Sequence, residues 1–119
     1  MSVRVWLFLI GFMAIGKSAW AQYSPLPDIM RGDANGDLLV NIADMIYINT
    51  WLFSGGPSPN CVDAADVNDD GQVNVSDVVY LQTYLFLQGP PPPPPYPACG
   101  RDPTASSLSC SVASCFART

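Results

Sequence analysis

The sequence predicts a small, mainly α-helical protein built from two loop–helix repeats that pack as an antiparallel pair. Three observations support this fold class. The segment 33–53 recurs at 66–86 with a constant offset of 33 residues. Each copy opens with an Asp- and Asn-rich stretch and continues into apolar residues at helical spacing. Proline and glycine flank each copy and stop its helix. An internal repeat fixes the architecture of a chain, so the fold class follows from it first.

The first half of each repeat is a 12-residue loop with the spacing of calcium ligands. In an EF-type loop, positions 1, 3, 5 and 12 bind the ion through side chains, position 7 through its backbone carbonyl, and position 9 often through a water. A single such loop can also be a solvated turn, but two complete loops in register favour two calcium ions. The expected ligands are Asp33, Asn35, Asp37, Leu39 (backbone), Asn41 and Asp44 in the first loop, and Asp66, Asn68, Asp70, Gln72 (backbone), Asn74 and Asp77 in the second.

Position 6 distinguishes the two loops. The backbone turns sharply there and needs a positive φ, which glycine adopts freely. Gly71 meets this need in the second loop, whereas Leu38 is strained in the first by roughly 1–2 kcal/mol. We therefore expect the first site to bind calcium several-fold to about tenfold more weakly than the second.

The second half of each repeat predicts one helix, over about 42–53 and about 75–87. No long helix enters either loop, because prolines precede the first and the sequence GGPSPNC precedes the second. Each repeat is therefore half an EF-hand. Val40 and Val73, at loop position 8, are expected to pair as a short antiparallel bridge. The expected core stripe comprises Ile42, Met45, Ile46, Asn49, Leu52 and Phe53 on the first helix, and Val75, Val78, Val79, Gln82, Leu85 and Phe86 on the second.

Four aromatic residues are expected on the face opposite this stripe. Side chains four residues apart share one face of a helix, and aromatic residues are enriched at binding hot spots. The candidate partner-binding residues are Tyr47, Trp51, Tyr80 and Tyr84. The alternative carries equal weight: the proline segment and the C-terminal coil fold back onto these rings and form a second core.

The N-terminal segment 1–21 predicts a secretory signal peptide. Arg4 precedes an apolar run, and Ala19-Trp20-Ala21 has the pattern of a cleavage site. The run is shorter than the roughly 20 residues that span a bilayer, so we expect a secreted, extracellular protein with no membrane span after cleavage. The expected remainder is a linker at 22–31, a calcium-binding domain at 32–89, a polyproline segment at 90–97 and a Cys-containing coil at 98–119.

The C-terminal part of the chain is expected to be an irregular tail tied down by disulfides. An even number of cysteines in a small secreted chain predicts two disulfides, and four cysteines allow three pairings. The cysteines concerned are Cys61, Cys99, Cys110 and Cys115. Consecutive prolines form a stiff extended helix, which here is either a spacer or a brace folded over the helices.

Composition argues against two classes of function. Beyond residue 21 the chain has ten Asp, three Arg and no Lys, hence a formal charge of −7, and nucleic-acid binding depends on basic contacts to phosphates. The whole chain lacks His and Glu, its aspartates are mostly calcium ligands, and its serines have no adjacent base. The sequence therefore predicts a protein that is not an enzyme and does not bind nucleic acid.

Two calcium loops with Asp at position 12, each followed by one helix, resemble a type I dockerin. The residues that carry the resemblance are DANGDLLVNIADMIYINTWLF and DVNDDGQVNVSDVVYLQTYLFL, within roughly 32–102. The segments YLFLQGPPPPPPYPACGRDPT and CVDAADVNDDG look like the dockerin-like repeats of planctomycete secreted proteins. The resemblance implies a calcium-dependent protein–protein interaction module that docks to a cohesin-like partner in extracellular polysaccharide-degrading or surface assemblies.

The family recognises its partner through loop positions 10 and 11, which here are Ile42-Ala43 and Val75-Ser76 rather than the frequent Ser-Thr.

The alternative function is a calcium-stapled structural subunit of an extracellular fibre or coat, in which the partner is a second copy of the chain.

Overall fold

The computed structural model describes residues 27–104, 106–110 and 115, and the predicted signal peptide lies outside these residues. The described residues form three helices and no strand: α1 (Ile42–Ser54), α2 (Val62–Ala65) and α3 (Val75–Phe86). Helices α1 and α3 pack against each other. Among the described helices, none has the length and apolar character needed to cross a membrane. The mainly helical class is confirmed, whereas the antiparallel orientation stays a prediction.

Helices α1 and α3 begin at the same repeat position because the same pair of residues caps each of them. The side chain of Asn41 accepts a hydrogen bond from the Ala43 amide, and the carboxylate of Asp44 accepts one from the Asn41 amide. Asn74 and Asp77 form the same reciprocal capping box at the start of α3. Such a box satisfies backbone donors that a helix start would otherwise leave unpaired.

Both helices end where the chain folds tightly back onto the last turn at a glycine. The amides of Gly56 and Gly89 donate to the carbonyls of Thr50 and Thr83 at 3.0 and 2.9 Å. A Cβ at these glycines would lie only 2.8 and 2.6 Å from the threonine Cγ2 atoms. Only glycine permits so close an approach, so the glycine before each proline is a structural stop.

The centre of the core differs from the predicted stripe. Ile48 and Leu81, equivalent residues of the two repeats, are fully buried together with Ala34, Ala65 and Val67. Four of the predicted stripe residues pack against this centre: Met45, Leu52, Val78 and Leu85. Six others are at least half exposed, and for these the prediction was wrong: Ile42, Ile46, Phe53, Val75, Val79 and Phe86. Both helices are apolar on two faces, so periodicity alone could not decide which face is buried.

The predicted bridge between Val40 and Val73 is not formed, and both valines pack against the core instead. The bridges found among the described residues join Ile29 to Gly100 and Cys61 to Cys110. They attach the N-terminal segment and the start of α2 to the C-terminal segment. α2 itself is a single helical turn that leads into the second loop.

The C-terminal segment lies against the repeats. Pro92 and Pro95 are buried, and the Pro95 carbonyl accepts a hydrogen bond from the backbone amide of Arg31 at 2.7 Å. These contacts fit a brace rather than a spacer. Two disulfides are present as predicted, and of the three pairings the structure has Cys61–Cys110 and Cys99–Cys115.

Candidate calcium centre

Position 1 of each loop organises the backbone around itself. The buried carboxylate accepts hydrogen bonds from the amides at positions 5 and 6, and these bonds curl the loop around the carboxylate. Asp33 accepts from Asp37 and Leu38 at 3.1 and 3.0 Å, and Asp66 accepts from Asp70 and Gly71 at 3.2 and 2.9 Å. The side-chain oxygens of Asn35 and Asn68, at position 3, accept from the same position-5 amides at 3.1 and 3.2 Å.

Position 12 joins each loop to the helix that follows it. One carboxylate oxygen of Asp44 accepts from the amide of Asn35 at 3.2 Å, while the other belongs to the capping box of α1. Asp77 makes the equivalent bond to the amide of Asn68, also at 3.2 Å, at the start of α3. A single residue therefore fixes both the closed loop and the first turn of the helix.

The three aspartates of each loop converge on one point. In each loop one carboxylate oxygen from each aspartate lies within 4.8 Å of the other two, in the sets Asp33, Asp37, Asp44 and Asp66, Asp70, Asp77. Positions 1 and 12 are buried and position 5 is exposed at the rim. Three hard oxygen donors at one point match the ligands that calcium prefers.

The clustered carboxylates of each loop favour a bound cation. Burial raises the pKa of Asp44 to about 6, against the effect of its backbone hydrogen bonds, and the nearby Asp33 and Asp37 raise it further. Burial likewise raises the pKa of Asp77 to about 6. Among the described residues, the ion pairs involve Asp69 and Asp102 rather than these six loop aspartates. The donor set, its convergence and its uncompensated charge all fit a calcium ion in each loop.

The remaining predicted ligands have different surroundings. Asn41 and Asn74, at position 9, use their side-chain oxygens to cap α1 and α3. Leu39 and Gln72, at position 7, have exposed side chains, and coordination by their carbonyls stays a prediction. The sequence predicted the two asparagines as calcium ligands, which stays a prediction, and it did not identify their capping role.

Both loops adopt left-handed backbone at two positions. At position 6, Leu38 has φ +67° and Gly71 has φ +86°, as the sequence analysis expected. At position 4, Gly36 has φ +77° and Asp69 has φ +59°, which the sequence analysis missed. The first loop thus has glycine at position 4 and a larger residue at position 6, whereas the second loop has the larger residue at position 4 and glycine at position 6. Asp tolerates this conformation better than Leu, so the strain remains larger in the first loop.

The family model for the type I dockerin domain matches residues 31–86, which include both loops and both long helices. Residues 31–86 form a type I dockerin domain. No curated protein and no solved structure gives a significant match to the chain. Dockerin domains bind calcium and are docking modules rather than catalytic domains, in agreement with the two acidic clusters.

A buried arginine next to the second loop of the dockerin domain was missed by the sequence analysis. The Arg31 side chain is fully buried, and its Nη2 lies 2.8 Å from Asp102 Oδ1 and 3.3 Å from Asp69 Oδ1. Its other nitrogens donate to the carbonyls of Asp66 and Pro94 at 2.9 and 3.1 Å. No sequence pattern pairs Arg31 with residues so far along the chain, so only the fold could reveal this cluster.

A second aspartate, Asp63, interacts with the Asp102 partner of this arginine. Burial raises the pKa of Asp63, in α2, and its proximity to Asp102 raises it further. Burial also acts to raise the pKa of Asp102, but hydrogen bonds from Thr104 and the adjacent Arg31 outweigh it and lower that pKa. Asp102 is therefore the ionised member of the pair and the counter-charge for Arg31.

The aromatic residues of the dockerin domain are not on a free face opposite the core. Tyr47, Tyr80 and Tyr84 pack against the buried core cluster, and Trp51 is half-buried. The hydroxyl of Tyr80 donates to the Pro91 carbonyl at 3.0 Å, and those of Tyr84 and Tyr96 lie 2.7 Å apart. This placement fits the alternative in which the proline segment covers the rings; partner contact by the four aromatic residues stays a prediction.

Six of the exposed apolar residues form two equivalent stripes, which we call the docking stripes. Residues Ile42, Ile46 and Phe53 form the stripe on α1, and Val75, Val79 and Phe86 form the stripe on α3. Their exposed fractions run from 50 to 63%. Ile42 and Val75 occupy loop position 10, where the resemblance placed partner recognition.

Proposed function

We propose that this dockerin domain is a secreted, calcium-dependent docking module that binds a cohesin-like partner through the docking stripes. The exposed apolar surface carries the proposal. Large apolar side chains left in water at matching positions of two helices are typical of a protein interaction site. Burying such side chains stabilises a complex by about 25 cal/mol per Å² of apolar surface, before the costs of association.

The dependence on calcium follows from the link between loop and helix. Asp44 and Asp77 hold the loops closed and also cap α1 and α3. Without a cation, three converging carboxylates repel one another, and the first turn of each helix loses a fixed partner. Ile42 and Val75 lie in those first turns, so calcium would set the position of the stripes.

Two features support a role outside the cell. The two disulfides are typical of proteins from oxidising compartments. The N-terminal sequence has the pattern of a signal peptide. Docking within polysaccharide-degrading or surface assemblies then follows from the family resemblance.

The test is calorimetric titration of a panel of purified cohesin domains into the chain that begins at Gln22, in calcium and in chelator. Replacing Ile46 or Val79 by Asp should abolish binding, because each substitution places a charge in the contact. Ser107→Asp adds the same charge at an exposed residue of the C-terminal segment and should leave binding intact. Trp51→Ala and Tyr84→Ala test the aromatic residues. If these variants lose cohesin binding while the variants of the docking stripes keep it, the partner surface consists of the aromatic residues.

The second candidate is a calcium-stapled structural subunit of an extracellular fibre or coat. The docking stripes favour it as well, since a second copy of the chain could cover them. Sedimentation with and without calcium separates the two candidates. Calcium-dependent self-assembly that Ile46→Asp prevents supports the structural subunit, whereas a monomer that binds a cohesin domain supports the docking module.

A further inference from the structure

The two calcium loops differ in what lies behind them. With the repeat offset of 33 residues, the counterpart of Arg31 is Ala64, and the counterpart of Asp69 is Gly36. The cluster of Arg31, Asp69 and Asp102 therefore has no equivalent at the first loop. We propose that Arg31 is a positioning residue for the second calcium site, and that with Asp102 and Thr104 it holds this loop in its binding conformation.

Three contacts connect the cluster to the loop. Arg31 Nη1 donates to the backbone carbonyl of Asp66 at 2.9 Å, and Asp66 supplies the position-1 carboxylate. Arg31 Nη2 lies 3.3 Å from the carboxylate of Asp69. The Thr104 hydroxyl lies 2.7 Å from the same oxygen and 2.6 Å from Asp102 Oδ1, so its proton is shared between the two carboxylates. The cluster thus fixes the backbone at position 1 and the side chain at position 4.

The contacts at position 4 explain how Asp69 is held at a positive φ. A residue with a Cβ resists left-handed backbone, at a cost of about 1–2 kcal/mol in general and less for Asp. In the first loop Gly36 takes this conformation freely, and a Cβ there would meet nothing within 4 Å. In the second loop Arg31 and Thr104 engage the Asp69 carboxylate and offset the strain. The first loop relies on glycine, and the second on contacts with distant segments.

Arg31 and the two carboxylates paired with it carry a net charge of −1, so the intact cluster does not repel a bound cation. Asp69 and Asp102 both lie within 3.3 Å of its guanidinium. Removing Arg31 alone takes away its repulsion of the cation, but it also removes the contacts that order the loop, and we expect the loss of order to be the larger effect. Removing Arg31 should therefore weaken the second site, although it removes a positive charge.

The inference rests on calcium binding by the second loop, which is part of the proposed function. The experiment uses the chain that begins at Gln22, with both disulfides intact. Two-dimensional NMR follows the amides of Gly36 and Gly71, one in each loop, during a calcium titration. Arg31→Met should lower the calcium affinity of the second loop, measured at the Gly71 amide, by about fivefold or more. It should leave the calcium affinity of the first loop, measured at the Gly36 amide, unchanged. Arg101→Met is the matched control, since it removes the same charge from an exposed position, and it should change neither site.

Two further variants keep the inference testable if Arg31→Met folds poorly. Thr104→Val alters an exposed side chain and should weaken only the second site, by less than Arg31→Met. Asp69→Gly gives the second loop the glycine of the first, so the loss caused by Arg31→Met should be smaller in that background. Equal weakening of both sites, no change at Gly71, or strictly additive effects would overturn the inference.

Hydrogen exchange in chelator separates this inference from the proposed function. The amides of Asp70 and Gly71 should exchange more slowly than their counterparts Asp37 and Leu38, because Arg31 orders the second loop without metal. Arg31→Met should remove the difference. If neither glycine amide responds to calcium, the proposal of calcium binding is wrong, but the hydrogen-exchange rates still test the role of Arg31. Equal exchange rates in the two loops would rule that role out.

Discussion

At the scale of single residues, opposing effects act on the protonation of Asp44 and Asp77. Each carboxylate is fully enclosed, accepts two backbone hydrogen bonds and faces two other aspartates. The hydrogen bonds favour the charged form, while burial and the neighbouring charges oppose it and prevail. Below about pH 6 the metal-free protein therefore holds protons where the loaded protein would hold calcium.

The first prediction concerns pH. In the metal-free fold the pKa values of Asp44 and Asp77 are about 6, above the unfolded value of 3.8, so the folded state binds more protons between these limits. Stability without metal should therefore fall as pH rises from about 4 to about 6. Calcium affinity should change in the opposite direction and fall as pH drops through about 6, because protons compete with the ion.

Thermal unfolding from pH 4 to 8, in chelator and in calcium, measures both trends for the first prediction. Asp44→Asn with Asp77→Asn should flatten the metal-free trend, whereas Asp28→Asn, outside the loops, should leave it in place. A metal-free protein whose stability rises across this range would show that the two carboxylates remain ionised.

The second prediction concerns Leu38. Its φ of +67° costs about 1–2 kcal/mol, and glycine would remove that strain. The greater freedom of glycine in the unfolded chain returns about 0.5–1 kcal/mol. Leu38→Gly should therefore tighten the first site by a small factor, up to about fivefold, and leave the second unchanged. Calcium titration with the same NMR reporters measures this, and Leu39→Gly, at a residue without a positive φ, should weaken the site instead.

At the scale of elements, each loop and its helix form one unit. The residue that completes the calcium site also completes the capping box, and the asparagine that precedes it supplies the cap. Loop closure and helix initiation thus stabilise each other. The apolar surface of each helix extends from this shared point toward the glycine that ends the helix.

The third prediction separates capping by Asn41 and Asn74 from coordination. Replacing either with Ala removes a cap worth about 1 kcal/mol, so the thermal midpoint should fall by several degrees in calcium and in chelator alike. Ser, another good cap, should restore most of the stability. If the loss occurs only in calcium, the asparagines act mainly as calcium ligands rather than as caps.

At the scale of the whole molecule, segments far apart in the chain meet around the second repeat. Ile29 pairs with Gly100, Cys61 with Cys110, and Arg31 with both Asp69 and Asp102. The centre of the core contains only a few small or medium-sized side chains. A core this small needs metals or disulfides to hold a unique fold.

The fourth prediction concerns calcium removal. Binding free energy contributes to folding free energy when the site is absent from the unfolded chain. Chelation should therefore lower helix content, measured by circular dichroism, and added calcium should restore it. At a calcium concentration of about 100 times the dissociation constant, each site should add roughly 2.7 kcal/mol. A chain that is fully helical in chelator would contradict this coupling.

The fifth prediction ranks the disulfides. Cys61–Cys110 closes 49 residues and Cys99–Cys115 closes 16. Loop-closure entropy then gives about 4 and about 3 kcal/mol respectively. Replacing Cys61 and Cys110 with Ala should therefore lower the free energy of unfolding more than the same change at Cys99 and Cys115. Denaturant unfolding in saturating calcium measures both, and the reverse order would show that the C-terminal segment contributes more through Cys99–Cys115.

The sequence by itself determined the features that depend on neighbouring residues. Ligand spacing in the loops, the helix that follows each loop, the positive φ at position 6 and the even number of cysteines all follow from residues within a few positions or from a simple count. Local sterics, hydrogen bonding and coordination chemistry act over that range, so a pattern can specify them. Because the segment occurs twice, each local inference applies to both repeats.

Only the tertiary structure decided which face of each helix is buried and what lies behind the second loop. The helices are apolar on two faces, and the choice of Ile48 and Leu81 over Ile46 and Val79 depends on where the other helix packs. The burial of Arg31 depends on a C-terminal segment about 70 residues further along. Such contacts depend on packing between distant segments, which periodicity along the chain does not specify.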